Sequence, residues 1–240
     1  MPDATDSHSG VSLGFIHGYD VAAMFMTSLN KLLSYDSANS KHIRSVISEY
    51  STVNINNERN NVVRDFLAGP TEWLLMLDAD VVFKETLVED LLASRADGSL
   101  PLVVGGLYFG FGGDGLLFPH IYNWSDDAVV SIPKRYEPDS MVRVDATGVG
   151  CLLVHRSVFE RVYEQNKDSV FPWFSESIIK NRLAGEDFTF FHRLSALGIP
   201  AYVNTSIRAG HIKKFELSES MYTRQLLLDD YIEEKENEVG

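Results

Sequence analysis

Asp78 and Asp80 interrupt an otherwise apolar stretch, "LLMLDADVVF" at residues 74–83. Two carboxylates one residue apart offer hard oxygen ligands suited to Mg2+ or Mn2+, above all when phosphate holds the same ion. The Leu, Met, Val and Phe residues around them read as a buried strand. Acids left unpaired at the end of such a strand would be costly. They need a partner, and a divalent cation is one. The competing reading of an isolated Asp-x-Asp is a loop with two solvated acids, and the apolar run before it weighs against that.

Chemistry at a strand end requires a fold that gathers strand ends. "VSLGFIHG" (11–18) reads as a strand, followed by a helical pattern from Val21 to Leu33 with Asp20 placed to cap it. A second strand covers 43–50, and a helix over 56–70 is stopped by Gly69-Pro70. A third strand spans 72–80, a helix runs from Glu85 to Arg95, and a fourth strand covers 101–106. This alternation predicts a parallel, doubly wound sheet in the first hundred residues. Ligands gather at the carboxyl ends of such strands. His17-Gly18 ends the first strand and Asp78-Ala79-Asp80 the third, so both are expected on one rim.

Beyond Gly105 the texture changes. "GGLYFGFGGDG" (105–115) carries six glycines but lacks the Lys-Ser/Thr of a phosphate loop, so a loop or hairpin near the site is expected. Strand-like pieces follow at 128–133 and 142–154. A helix begins near Ser157, where "SVFE" fits a capping box with Glu160. "FPWF" (171–174) reads as a loop, and a helix from about Glu186 ends at "LGIP" (197–200), with Gly198 as its cap. One or two short strands occupy 201–212, and 216–240 has an acidic helical pattern.

The 240-residue chain, 45% hydrophobic, can bury a sizeable core. No apolar run reaches the roughly 18 residues that cross a bilayer. "MPDATDSHSG" shows no basic segment followed by an apolar one, so no signal peptide is expected. The one cysteine, Cys151, permits no internal disulfide, and a reducing, cytoplasmic setting is the expectation. A net charge of -13 argues against nucleic-acid binding by general electrostatics. Much of the acid lies in the tail, where Glu216 to Gly240 holds eight acidic residues against Arg224 and Lys235. One domain is expected, with a nucleotide-binding half over about 11–106, an acceptor half over about 107–215, and the tail.

Taken in order, these motifs resemble the GT-A glycosyltransferases. An Asp-x-Asp follows an apolar strand after two βα units. A Gly-rich segment is next, then "VDATGVGCLLVHRSVFERV" (144–162), similar to the family's Val-Asp-x-x-Gly-x-Gly strand and helix. The aromatic "FPWF" loop, Glu-Asp in "GEDFTFFHRLSALGIP" (185–200), and "AYVNTSIRAGHI" (201–212) with its terminal His complete the series. The likeness covers roughly 11 to 212 and is to compact family-2-type members of bacterial and phage kind. The Gln-x-x-Arg-Trp motif of processive synthases is missing, so one sugar per event is expected. The resemblance implies a GT-A (Rossmann-like) doubly wound mixed sheet, mostly parallel in its N-terminal half. It further implies a nucleotide-sugar donor, most simply a UDP-sugar, a hydroxyl acceptor such as a glycan or lipid-linked sugar, and Mn2+ or Mg2+.

By the same resemblance Asp80 binds the metal, Asp78 contacts the ribose or the metal shell, and His211 is a further ligand. Arg59 in "ERNN" contacts the nucleotide. Asp187 is the general base and Glu186 positions acceptor or base. Bond cleavage leaves charge on the diphosphate, which a divalent ion stabilises. The acceptor hydroxyl loses a proton to a carboxylate or His on the opposite side of the sugar, which inverts the anomeric centre. Each residue has a plainer reading. Without the resemblance His211 reads first as a surface residue before Lys213 and Lys214, and Glu186 and Asp187 read also as acids favoured at a helix N-terminus. His17 is a nucleotide contact or a turn residue. Trp173 and Trp124 stack on a sugar or base or fill core.

Other functions compete. "LLMLDADVV" also matches the first motif of haloacid-dehalogenase-like phosphatases, with Asp78 as nucleophile. That motif belongs on a first strand, and "GEDFTFF" (185–191) has no acid four residues after Asp187. A nucleotidyltransferase would carry a Gly-rich basic loop after its first strand, which "FIHGYDVA" (15–22) lacks. A non-catalytic nucleotide-sugar binder need not keep Asp80, Asp187 and His211 together. A hydroxymethylated DNA base is the alternative acceptor. Lys134, Arg135, Arg143, Lys180, Arg182, Lys213 and Lys214 would form a basic groove for it, with Trp124 or Trp173 stacking on the extruded base.

Overall fold

The computed structural model describes residues 10–51, 54–112, 116–127, 129–214, 218–219, 221–223 and 226–227. In chain order the elements are β1 (Val11–His17), α1 (Ala23–Ala38), β2 (Ile43–Tyr50), α2 (Ile55–Ala68), β3 (Trp73–Asp78), β4 (Val81–Val82), α3 (Leu87–Leu92) and β5 (Val103–Leu107). There follow β6 (Phe109–Phe111), β7 (Leu117–Pro119), β8 (Asn123–Trp124), β9 (Val130–Ser131), β10 (Met141–Val144), β11 (Cys151–His155) and α4 (Arg156–Asn166). Last come β12 (Ser177–Ile179), β13 (Arg182–Ala184), α5 (Glu186–Ala196), β14 (Ala201–Arg208) and β15 (Gly210–His211). The acidic helix read over 216–240 lies largely outside the described residues.

Seven strands form one mixed sheet in the order β10-β14-β5-β11-β3-β1-β2. β1 pairs in parallel with β2 and β3, and β14 in parallel with β5. β10 runs antiparallel on β14, and β11 antiparallel between β3 and β5. Side chains alternate across the strands. Leu74 and Met76 of β3 join one core with Val62, Phe66, Phe159 and Phe190 of α2, α4 and α5. Trp73, Leu75 and Leu77 join the opposite core with Phe25, Leu29, Leu32 and Leu91 of α1 and α3. The sheet is therefore covered by helices on both faces, as a strand apolar in every position requires.

The parallel run expected of the first hundred residues is broken in one place. β5 does not lie beside β3, because the segment read as a strand over 142–154 divides into β10 and β11, and β11 inserts between them. β11 is apolar on both faces, with Cys151 and Leu153 in one core and Leu152 and Val154 in the other. That pattern suits the centre of a sheet.

Several helix ends also differ from the sequence reading. Asp20 does not cap α1: the helix starts at Ala23, its N-cap Ala22 has no side-chain bond, and it runs on to Ala38. α3 is one and a half turns shorter at its ends than the pattern over 85–95. α4 is capped by His155, whose ring accepts from the Ser157 N–H, two residues before the expected capping box. An imidazole nitrogen reaches the same orphan amide that a hydroxyl would. Arg156 then donates to the carbonyls of Phe66, Leu67, Gly69 and Thr71. One guanidinium thus ties two carbonyls at the C-terminus of α2, those of Phe66 and Leu67, to two in the chain that follows it.

Candidate active site

β3 ends at Asp78 and the chain turns through Ala79 and Asp80 before β4. β4 pairs antiparallel with β15, with Val81 opposite His211, and the Ile212 N–H donates to the Asp80 carbonyl at 2.8 Å. The return to Val81, Val82 and Phe83 after the two acids therefore has a purpose. Val81 is fully buried and anchors a two-residue ladder that sets His211 against Asp80. His211 Nε2 lies 3.2 Å from Asp80 Oδ2, and Lys213 Nζ lies 2.9 Å from the same oxygen. Burial raises the Asp80 pKa, but hydrogen bonds from His211 and Lys213 outweigh it and hold the carboxyl at about 2.

Asp78 faces elsewhere. Its partner is Arg59, a buried guanidinium from the second turn of α2, at 3.2 Å. Arg59 also pairs with Glu186 at 3.2 Å and with Asp187, both in the first turn of α5. One cation thus holds three carboxylates from two elements. Arg59 does not line the cavity described next; it ties β3 to α5 beneath it. Arg59, expected to contact the nucleotide, is thus placed among these carboxylates and is 4% exposed. Asp187 Oδ2 in addition accepts from the Val149 N–H at 3.4 Å.

A cavity of about 660 Å³ opens over this rim. Its lining includes Ile16, His17, Asp20, Ser51 and Ile55 together with Asp78, Asp80, Tyr108, His120, Asp187, His211, Lys213 and Lys214. The structure thus gathers His17, Asp78, Asp80, Asp187 and His211 around one space. Glu186 stays behind on Arg59. Trp173 is corrected from a stacking platform to core: it is buried, and its indole N–H donates to the Phe159 carbonyl. Trp124 lies outside the cavity, its indole N–H on Ser195. The basic groove proposed for DNA does not form around the cavity either. Lys213 and Lys214 line it, Lys180 pairs with Asp126, and Arg143 lines a separate space of about 160 Å³.

The metal set read from sequence needs one correction. Among the described residues no three His, Cys, Asp or Glu side chains cluster to hold an ion alone, because Asp78 is turned to Arg59. Asp80 and His211 remain as a pair. His211 Nδ1 lies 2.9 Å from the Phe109 carbonyl, which can only accept, so Nδ1 carries a proton; Nε2, which donates to Asp80 in the metal-free protein, would give up its proton to offer a lone pair to an ion. A ring fixed in this way is the usual setting of a metal-bound His. Mg2+ and ions like it are commonly held by one or two protein groups, with substrate phosphate filling other positions. The pair fits a divalent ion on those terms.

Two features escaped the sequence reading. Glycine is required at 150, where a Cβ would lie 2.5 Å from Asp78 Oδ2, and at 148, where it would strike the Tyr108 hydroxyl. Tyr108 in turn accepts the Gly150 N–H at 3.1 Å. The "TGVG" spacing was visible, but the groups behind it belong to distant segments. His120 stacks on Tyr108 with ring centroids 4.2 Å apart, and its Nδ1 lies 3.0 Å from the Tyr122 hydroxyl. Its Nε2 is buried without a partner. Burial, then the nearby His211 and Lys213, push its pKa down to about 4 against an opposing pull from Asp80. Nothing in "LLFPHIYNW" marks this histidine out.

No family model matches the chain, and no curated protein matches its sequence. Solved structures match its fold. The structure of A197 from STIV is 20% identical with a TM-score of 0.54, over 85% of this chain and 86% of that one. A structure of GalNAc-T7 with UDP, GalNAc and Mn2+ is 14% identical with a TM-score of 0.55, over 88% of this chain and 45% of that one. The chain thus spans less than half of that second protein. The likeness is one of fold, and with the helix-covered mixed sheet it defines an α/β, GT-A (Rossmann-like) architecture.

Proposed function

We propose that this protein is a metal-dependent glycosyltransferase that moves one sugar from a nucleotide-sugar, most simply a UDP-sugar, to a hydroxyl acceptor with inversion. The observation that carries the reading is the Asp80–His211 pair, 3.2 Å apart, at the mouth of a cavity that reaches back to His17. The GT-A architecture supports it, as does the fold likeness to a protein whose structure holds UDP, GalNAc and Mn2+. On this reading the nucleoside lies at the end lined by His17, Ser51 and Ile55. Asp80 and His211 hold the ion, which when bound offsets charge on the diphosphate. Lys213 and Lys214 face the same charge. Asp187 takes the proton from the acceptor hydroxyl, while Arg59 and the Val149 amide fix its carboxylate. A glycan or lipid-linked sugar is the acceptor class we favour over DNA, since neither tryptophan reaches the cavity. Asp78, locked to Arg59, is poorly placed as a phosphatase nucleophile. Among the described residues no helix is long and apolar enough to cross a membrane.

Titrating UDP into the protein with and without Mn2+ tests the reading. Wild type should bind UDP tightly only with the ion, and Asp80→Ala should lose that dependence while melting as a folded protein. Equal UDP affinity in wild type and Asp80→Ala would remove the basis of the proposal.

A further inference from the structure

We infer that Lys213 is the resident counter-ion of Asp80 in the donor-free protein and transfers to the donor diphosphate when a divalent ion takes its place. The inference rests on the glycosyltransferase reading and adds an exchange of cations to the same site. Asp80 Oδ2 is shared: His211 Nε2 approaches it at 3.2 Å and Lys213 Nζ at 2.9 Å. An ion held between Oδ2 and Nε2 would stand within a few ångströms of the ammonium. Like charges that close repel, and strongly where solvent is partly excluded. Lys213 therefore cannot keep its present contact once the ion is bound.

Its alternative position is supplied by the cavity. Lys213 lines it beside His211 and Lys214, and its side chain is 43% exposed, so the ammonium can swing on its flexible stem without disturbing the core. The backbone need not move, because the Ile212 N–H stays on the Asp80 carbonyl. In the donor-free state the Lys213 contact adds a full positive charge beside an acid that otherwise has only His211 as its partner. With ion and donor present the exchange brings a second cation to the diphosphate. Lys213 then lowers the affinity for ion alone and raises the affinity for ion and diphosphate together, so the two ligands favour one another.

The test uses the full chain and Lys213→Met, which keeps the stem and loses the charge. Lys214→Met is the control for charge that lines the cavity without touching Asp80. Binding of Mn2+ to the donor-free protein is read from the free-ion electron paramagnetic resonance signal. Binding of UDP and of UMP at saturating Mn2+ is read by calorimetry. Lys213→Met should bind Mn2+ alone roughly tenfold more tightly. It should bind UDP about tenfold more weakly, with a smaller loss for UMP, which lacks the β-phosphate. Lys214→Met should change donor-free Mn2+ binding by less than about threefold. Unchanged or weaker Mn2+ binding by Lys213→Met would overturn the inference, and so would equal effects of the two variants on donor-free Mn2+ binding. Unchanged UDP affinity would overturn the transfer to diphosphate. A wild-type protein that binds neither Mn2+ nor UDP would instead overturn the glycosyltransferase reading beneath it.

Discussion

Arg59 and Asp187, 128 residues apart in the chain, form an ion pair that joins α2 to the first turn of α5. The same guanidinium reaches Asp78 at the end of β3 and Glu186 beside Asp187. The two ends of the candidate reaction centre, the nucleotide rim and the proposed base, are thus fixed to one buried group.

Removing that group should be expensive. In Arg59→Met three carboxylates would face one another with no cation between them. Loss of one partner from a buried ion pair costs about 3–5 kcal/mol. The carboxylates here keep 20 to 33% exposure, so the lower end, about 3 kcal/mol, is expected. Urea unfolding measures it. A loss under about 1 kcal/mol would mean that water already carries these charges.

Gly150→Ala tests the wall behind Asp78. The added Cβ would meet Asp78 Oδ2 at 2.5 Å and the Tyr108 hydroxyl at 3.1 Å. Overpacking of this kind costs about 1–3 kcal/mol, and it should swing Asp78 off Arg59. Gly18→Ala, with nothing within 4 Å of its Cβ, should change stability by less than about 0.5 kcal/mol. Paired thermal melts decide the point, and a Gly150→Ala protein as stable as Gly18→Ala would contradict the geometry.

The sheet, its helices and the rim that gathers ligands were legible because each rests on local pattern. β3 announces itself as a dense apolar run, and βα alternation places its end beside that of β1. The insertion of β11 was not legible: an apolar run says that a strand is central, not which neighbours it has. The site divides the same way. Asp78, Asp80, Asp187 and His211 carry visible chemistry. The partition between them is set by Arg59, whose three partners come from elements far apart in sequence, and this puts Asp78, expected at the ribose or the metal shell, in an ion pair at the cavity wall. Trp173 failed as a ligand contact because an aromatic in a loop reads alike whether it faces a cavity or core. His120 was invisible because its role comes from Tyr108 and Tyr122 around it.

His120 gives a pH signature. Its folded pKa, about 4, lies below the roughly 6.5 of an unfolded histidine. Between those values the unfolded chain binds more protons, so stability rises with pH. The contribution is complete above about pH 6.5 and is lost as pH falls toward 4, by up to about 3 kcal/mol. His120→Phe should flatten the slope of stability against pH in that window, whatever it does to stability at pH 7. Denaturant titrations at several pH values provide the slope, and a variant as steep as wild type would place the responsible proton elsewhere.

Asp187 carries the last prediction. It heads α5, lines the same cavity as Asp80 and His211, and has one oxygen committed to Arg59 and the other to the long Val149 bond. Asp187→Asn keeps the shape of the side chain and removes its capacity to take a proton. If Asp187 is the base, the variant should bind UDP and Mn2+ nearly as wild type does, yet transfer sugar about a hundredfold or more slowly. A parallel loss of UDP binding would point instead to damage through Arg59, and a near-normal rate would move the role to Glu186. Glu186 sits on the same guanidinium but does not line the cavity, so Glu186→Gln should cost less. The product supplies an independent check, because a base opposite the leaving diphosphate inverts the anomeric centre. Proton NMR of the new glycoside reads that configuration directly, and retention would exclude direct displacement assisted by Asp187.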